Sequence, residues 1–508
     1  MEIEVMLWLI SHLTYVSIHI ILFILQKNIP SYNTRKETQY TQCNNINNEA
    51  FQYQNSKKIT IMTENDKKFR IFIGTREVSG YYHRLYKALK KQGYAVEYYC
   101  YYNPFEYASL SDYQNILGKL IYVLTKIRYG IIHKKHKKNL ITLLTEKLYL
   151  FLIHILIEII SFLILIYSLF KYDVFIFSFA SSIIPYPYLI DLPVLKFFKK
   201  KIISCVFHGS EARPRYISMY GINRENPTYM DFKEVYKTVK IQKQKLRNIE
   251  KYSDIVIGSY LTSHFLKKKF VDYLYIGNIS PDPPENKKEN PNMSNKIKIL
   301  HAPSKAEMKG TSKIREVVKK LKQKYQNIEY IEITGKPNEE VIKAIQECSF
   351  VVDQLYSDTP LAVLGTEAAI YGKATITAGY VWKELYSIYP SEILTPSYLC
   401  HPSEIEEAIE TLINNSKLRE EIANKVHNFV LKNWSPQIIA DKFISIIKNE
   451  ILESWYTEPI QNYAHFCFID EQLGKKLLKQ YLSLFGDKAL LLDDKPILKQ
   501  EFIKIANS

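Results

Sequence analysis

Two stretches of this chain combine charge, glycine and small side chains in a way that suits phosphate and sugar chemistry. The first, His301-Ala-Pro-Ser-Lys-Ala-Glu-Met-Lys-Gly-Thr311, follows an apolar run and opens a helical one. A helix N-terminus presents unpaired N–H groups and the positive end of its dipole. Gly310 permits close backbone approach, and Lys309 or Lys305 can neutralise a departing diphosphate. The same pattern also describes a solvated turn. The second stretch runs from Val351 to Lys373 and sets Glu367 among small residues. A carboxylate there can accept both hydroxyls of a ribose, while Ala368, Ala369 and Gly372 allow close packing on a sheet. The alternative is a solvated helical glutamate.

Other chemistries are missing from the sequence. It holds no Walker loop, G-x-G-x-x-G, G-x-S-x-G, H-E-x-x-H or Cys/His zinc spacing. It also lacks D-x-D, the carboxylate pair that holds a diphosphate through a divalent ion, so no metal is expected.

These stretches need a scaffold. At 508 residues the chain is long enough for two or three domains of roughly 100–200 residues. With 47% hydrophobic and 24% charged residues it can bury a sizeable core and is not polytopic. From Phe69 onward short apolar runs alternate with amphipathic helical stretches, the pattern of parallel sheets covered by helices. In the first half the spacing predicts strands at Phe69–Ile73, Ala95–Tyr102, Asp173–Ser178, Ile202–Phe207 and Asp254–Gly258. Helices are expected near Ser79–Gln92, Thr228–Lys251 and Leu261–Lys268. The Pro- and Asn-rich segment 281–296 reads as a linker.

After it, strands are expected at Ile297–His301, Ile328–Thr334, Phe350–Asp353 and Ala374–Thr377. Helices alternate with them at Ser312–Tyr325, Glu339–Glu347 and Leu361–Tyr371, and helical periodicity continues through Ser403–Lys432 and Gln437–Trp455. The division expected is an apolar leader and Asn/Gln-rich linker at 1–66, an N-terminal Rossmann-like domain at 67–280, a C-terminal one at 297–450, and a helical tail at 451–508 in which no chemistry is evident.

In this order and spacing, the two stretches resemble the donor domain of glycosyltransferases of the GT-B fold, specifically the family-4-like group; the resemblance covers about Phe69 to Glu450. It implies two Rossmann-like domains facing across a cleft, with the C-terminal one binding a nucleotide-diphospho-sugar. It further implies that Lys309 contacts the donor diphosphate and that Glu367, the later Glu of the E-x7-E motif, binds the ribose. Thr359 stands where the earlier Glu would fall, with Asp358 one residue before it. Ser304 stands where the group has an Arg, with Lys305 beside it.

The loop Gly74-Thr-Arg-Glu-Val-Ser-Gly80 resembles the group's first loop, with Gly74, Gly80 and Arg76 near acceptor or phosphate. Phe207-His-Gly-Ser-Glu-Ala-Arg213 matches its His-Gly-Ser pattern. That match makes His208 the catalytic candidate, in contact with transferred sugar or acceptor, and brings Arg213 and Arg215 to an anionic acceptor. A structural histidine is the other reading of His208. The resemblance implies retention of anomeric configuration and no cofactor beyond the donor. A sugar-nucleotide epimerase of the same fold and a non-catalytic binding subunit are the rivals.

A formal charge of +16 favours anionic partners, but it is dispersed and carries no nucleic-acid reading motif. Val5 to Leu25 is a marginal span; as an anchor it leaves the rest in the cytoplasm by the positive-inside rule. A start at Met62 would make it dispensable, and a cleaved signal is the third reading. Leu148 to Phe170 is strongly apolar and follows Lys134, Lys135, Lys137 and Lys138. Because it lies between strands of one sheet, it is expected to pack partly on the domain and dip partly into an anionic membrane interface; a buried core helix is the alternative. The acceptor expected is therefore a lipid-linked or envelope glycan. The six cysteines, with no C-x-x-C, read as buried thiols in a reducing compartment.

Overall fold

The computed structural model describes residues 69–102, 110–113, 115–133, 140–185, 189–218, 230–283, 296–459 and 466–508. The leader with Val5–Leu25 and Met62, the lysines at 134–138 and nearly all of the 281–296 linker lie outside them.

The first sheet is built from β1 (Arg70–Arg76), β2 (Ala95–Tyr102), β3 (Val174–Phe177), β4 (Lys201–Cys205), β5 (Ile255–Gly258) and β6 (Phe270–Asp272). The second comprises β7 (Ile297–His301), β8 (Ile328–Glu332), β9 (Phe350–Gln354), β10 (Ala374–Ala378) and β11 (Tyr398–Cys400). Strands such as Val-Phe-Ile-Phe in β3 and Phe-Val-Val-Asp-Gln in β9 are buried at every residue, as sheets covered on both faces require. The spatial orders are β2-β1-β3-β4-β5-β6 and β8-β7-β9-β10-β11, all parallel. Both are doubly wound sheets whose order reverses between their first and third strands. The two Rossmann-like halves implied by the sequence are thus present, and residues 69–508 form one compact unit.

The helices that matter for the site are α1 (Tyr81–Lys91), α2 (Ile116–His133), α3 (Leu140–Lys171), α4 (Phe232–Tyr252), α5 (Thr311–Lys324) and α6 (Val363–Ile370). Helix α2, which the periodicity did not reveal, packs beside α3. The expected apolar helix 148–170 lies within α3, and Leu144–Lys171 is long and apolar enough to cross a membrane. It buries Ile153, Ile157, Ile160 and Ile164 at helical spacing, while Leu148, Leu152, Leu156, Ile159, Leu163 and Phe170 are exposed. A plain core helix would not leave that second face open.

Three expectations change. Leu261–Lys268 is not a helix: a single 3-10 turn, Tyr260–Thr262, leads toward β6. Its amides find other partners, Phe265 N–H on the Ala212 carbonyl and the Lys267 and Lys268 N–H groups on the Glu250 carboxylate. The run Ser403–Lys432 breaks into Ile405–Asn414 and Ser416–Asn433, because Asn415 caps the second helix by accepting from Leu418 N–H at 2.8 Å.

The run Gln437–Trp455 stops at Lys448, where Asn449 turns left-handed, and β12 (Tyr456–Thr457) then adds antiparallel to β6. The chain has returned to the first sheet. There α7 (Glu471–Phe485) and α8 (Pro496–Asn507) clasp Tyr216, whose ring stacks on Tyr481 at 5.1 Å and whose hydroxyl donates to the Leu490 carbonyl. The tail is helical as expected, but it is built into the N-terminal half. The five described cysteines, Cys100, Cys205, Cys348, Cys400 and Cys467, are buried and unbridged.

Candidate functional site at the cleft

Lys309 owes its position to a rigid strand end. His301, the last residue of β7, bonds the Val352 carbonyl of β9 through Nδ1 at 2.8 Å and the Thr311 hydroxyl through Nε2 at 2.9 Å. Burial lowers this imidazole to about 4, so it is a neutral clamp. The chain then makes one helical turn, Ala306–Lys309, and Gly310 adopts a left-handed φ of 70°. A side chain at Gly310 would put its Cβ 2.6 Å from that of Leu355, so the loop closes tightly on β9. Leu355 N–H donates to the Lys309 carbonyl at 3.0 Å.

The Lys309 ammonium is thereby delivered to the end of β9, where it donates to Gln354 Oε1 and lies 5.6 Å from the Phe468 ring. Burial lowers its pKa, opposed by the charges of Asp353 and Asp358. Ser304 and Lys305 precede this turn and are exposed.

On the facing half, His208 follows β4. Its Nε2 and the Tyr82 hydroxyl of α1 share a hydrogen bond of 2.8 Å, and Phe207, Tyr82 and Phe179 surround the ring. Burial drives it down to about 3, so at neutral pH it is an uncharged imidazole that orients hydrogen bonds and is not a proton donor. Gly209 has φ 106°, and a Cβ there would stand 3.1 Å from Asp358 Oδ2. That close approach lets Arg213, buried two residues after Glu211, reach Asp358 at 2.8 Å.

Asp358 is therefore committed to a buried interdomain ion pair, and Thr359 is fixed beside it by Ser357, whose hydroxyl accepts from its N–H at 3.2 Å and donates to its carbonyl at 2.7 Å. Desolvation lowers the Arg213 pKa, but Asp358 and Cys467 outweigh it, and the net shift is upward.

His208, Lys309, Gln354, Asp358, Thr359 and Phe468 line one cavity of about 170 Å³ between the two sheets. Phe468, from the tail in which the sequence showed no chemistry, lies 4.9 Å from the Arg213 guanidinium as well as against Lys309. Its N–H donates to the Tyr356 carbonyl at 2.9 Å, which pins the tail to the donor-side loop. No local pattern marks this residue, because the chain must first return to the N-terminal sheet.

The remaining predicted residues stand elsewhere. Glu367 is nearly fully buried on α6, not solvated; it accepts from Arg84 of α1 and from Asn338, each at 3.4 Å, and burial raises its pKa. It does not line the small cavity, but it joins the two halves beside it. Gly74 lies within β1, where a Cβ would come 2.6 Å from the Tyr99 carbonyl; Gly80 starts α1 at φ 80°. Arg76 sits over the Phe179 ring and, with Arg215, lines a second, larger cavity of about 460 Å³ at the end of β1. Among the described residues no three of His, Cys, Asp and Glu converge as a metal-holding group.

No protein-family model matches the chain, and no curated protein matches it in sequence. Solved structures match in chain trace. The glycosyltransferase from Rickettsia africae is 14% identical with a TM-score of 0.40, covering 75% of this chain and 98% of its own. Anabaena HepE, solved in complex with UDP, is 10% identical with a TM-score of 0.38, covering 75% and 100%. Staphylococcus aureus TarM is 13% identical with a TM-score of 0.37, covering 56% and 57%.

Proposed function

We propose that the protein is a glycosyltransferase that moves a sugar from a nucleotide-diphospho-sugar to a hydroxyl of a lipid-linked or envelope glycan at the inner face of a membrane, without a metal and with retention. The observation that carries this reading is the meeting of Lys309, at a strand–turn–helix junction, with His208 in one cavity between two doubly wound sheets. The acceptor oxygen forms a bond to the anomeric carbon as the bond from that carbon to the diphosphate oxygen breaks. The electron pair leaves with the diphosphate, and the hydroxyl proton passes to it.

Lys309 would exchange its Gln354 contact for the departing diphosphate, to whose developing charge a part-buried ammonium couples more strongly than one in open water. Neutral His208, fixed by Tyr82, would hold a sugar or acceptor hydroxyl. Ser304 and Lys305 would approach the diphosphate from the exposed side of the loop, Glu367 would receive the ribose on releasing Arg84, and Gly74 and Gly80, which line neither cavity, would shape the backbone on either side of Thr75–Ser79.

The test is calorimetric titration of the full chain with UDP, GDP, ADP and their sugar derivatives, without metal. Binding of one nucleotide that Lys309→Met and Glu367→Gln both weaken is expected. A folded protein that binds none of them is instead a non-catalytic binding subunit.

A further inference from the structure

The larger cavity opens where the strand order of the first sheet reverses, between the C-terminal ends of β1 and β3, the place where doubly wound sheets receive ligands. Thr75 and Arg76 come from the end of β1, Phe179 to Ser182 from the end of β3, and Ser210, Glu211 and Arg215 from the segment after β4. Arg128 enters from α2 and Lys245 from α4. Four cationic side chains, Arg76, Arg128, Arg215 and Lys245, therefore face one carboxylate, Glu211. The Lys245 ammonium makes no hydrogen bond among the described residues, and Glu211 Oε2 is buried without a partner. An excess of positive side chains over carboxylates around one part-exposed cavity fits a phosphate or diphosphate ester, to which guanidinium and ammonium groups make charge-assisted hydrogen bonds.

Two further features say what the ester is attached to. The helices that wall the cavity, α2 through Thr125 and Arg128 and α3 through Ile157, carry the exposed apolar residues Val123, Ile127, Leu152, Leu156 and Ile159 on their outer faces. The loops 75–79 and 208–211 each face both cavities, with Arg76 and Glu211 on the larger side and Ser79 and His208 on the smaller. A ligand headgroup in the larger cavity is thus one loop away from His208.

We infer that this cavity binds the phosphate or diphosphate head of a lipid whose chain lies over the outer face of α2 and α3. Its role as the acceptor rests on the glycosyl-transfer reading; its existence as an anion site does not.

The full chain, titrated with pyrophosphate and with farnesyl diphosphate, separates a free anion from a lipid-borne one. Farnesyl diphosphate is expected to bind at least tenfold more tightly than pyrophosphate. The double substitution Arg128→Gln/Lys245→Gln should weaken both at least tenfold. Both residues are partly exposed on helices, and nucleotide binding by the same variant reports that it is folded. Ile127→Gln/Leu156→Gln on the outer face should reduce only the advantage of farnesyl diphosphate.

Equal affinity for the two ligands would overturn the lipid assignment. Affinity unchanged by Arg128→Gln/Lys245→Gln, or abolished by Lys309→Met, would overturn the site. Lipid diphosphate binding without nucleotide binding sinks the transferase reading and leaves this one standing, and nucleotide binding without lipid diphosphate binding does the reverse.

Discussion

The two sheets share one strand order and place a cavity at the same topological point, yet they treat charge there in opposite ways. At the β7/β9 junction the cations are already satisfied: Lys309 by Gln354 and Phe468, Arg213 by Asp358. At the β1/β3 junction four cationic side chains and one carboxylate line the cavity, and the Lys245 ammonium makes no hydrogen bond among the described residues. The fold decides where a ligand meets the sheet. Whether that place waits for an anion or is held closed by internal partners is decided by individual side chains, some from distant parts of the chain.

Unpairing the cleft is expected to have the largest effect. Arg213 and Asp358 are both largely buried, so Arg213→Met leaves a carboxylate desolvated and unpartnered. A loss of about 3–5 kcal/mol in folding stability is expected. The double substitution Arg213→Met/Asp358→Leu should recover most of it, since two apolar side chains can replace an ion pair without leaving a buried charge. Chemical denaturation of the three proteins measures this. A single variant as stable as the parent would mean that the cleft is wet and its pairing incidental.

How far the sequence could reveal this contrast depends on the separation of the partners. Long buried strands announced themselves: β2, β7, β9 and β10 lie within a residue of their expected bounds, and β1 starts one residue later and ends three residues later than expected. The short ones did not. β6, β11 and β12, of two or three residues each, hold too few side chains to show a period, and β6 follows a segment whose apolar spacing imitates a helix.

The site followed the same rule. Lys309, His208 and Thr359 lie in local motifs, and the structure brings all three to one cavity. Glu367 was legible as a special carboxylate, but its present partner, Arg84, is 283 positions away. Phe468 was invisible, because only the return of the chain along β12 gives an otherwise ordinary aromatic two cations to cover.

A second, smaller intervention sharpens the donor side. Lys309→Met keeps an unbranched apolar stem against Phe468 while removing the ammonium. The affinity for the nucleoside diphosphate should fall about 10- to 100-fold, or roughly 1.4–2.7 kcal/mol, with little change in folding stability. A fall confined to the sugar-bearing donor would move Lys309 from the diphosphate to the sugar.

Smaller again is the contribution of the tail. Phe468→Leu removes the aromatic face seen by Arg213 and Lys309 but preserves bulk, and should cost about 1–2 kcal/mol of stability. If the tail is only a cover, the same substitution leaves nucleotide affinity within about twofold; a drop as large as that of Lys309→Met would make Phe468 part of the donor site.

Comparable in size, and the most specific to the larger cavity, is its dependence on pH. Burial raises Glu211 to about 7, against a usual value near 4.5. It lowers Lys245 from 10.5 to about 8, with Arg76 and Arg215 pushing the same way and Glu211 opposing them. Between pH 6 and pH 9 the cavity therefore gains the negative charge of Glu211 and loses the positive charge of Lys245. Both titrations act in the same direction, so affinity for a phosphate ester should fall as pH rises across this interval, by about tenfold in all.

The ester itself gains charge over part of the range, so the quantity to follow is the ratio of affinities between the parent and each variant, in which that change cancels. Glu211→Gln should shrink the limb near pH 7, which Glu211 shares with Glu158 of α3, raised by burial to about 7 against the charge of Arg128, and Lys245→Met should flatten the limb near pH 8. Nucleotide binding in the cleft, which neither Glu211 nor Lys245 lines, should show neither.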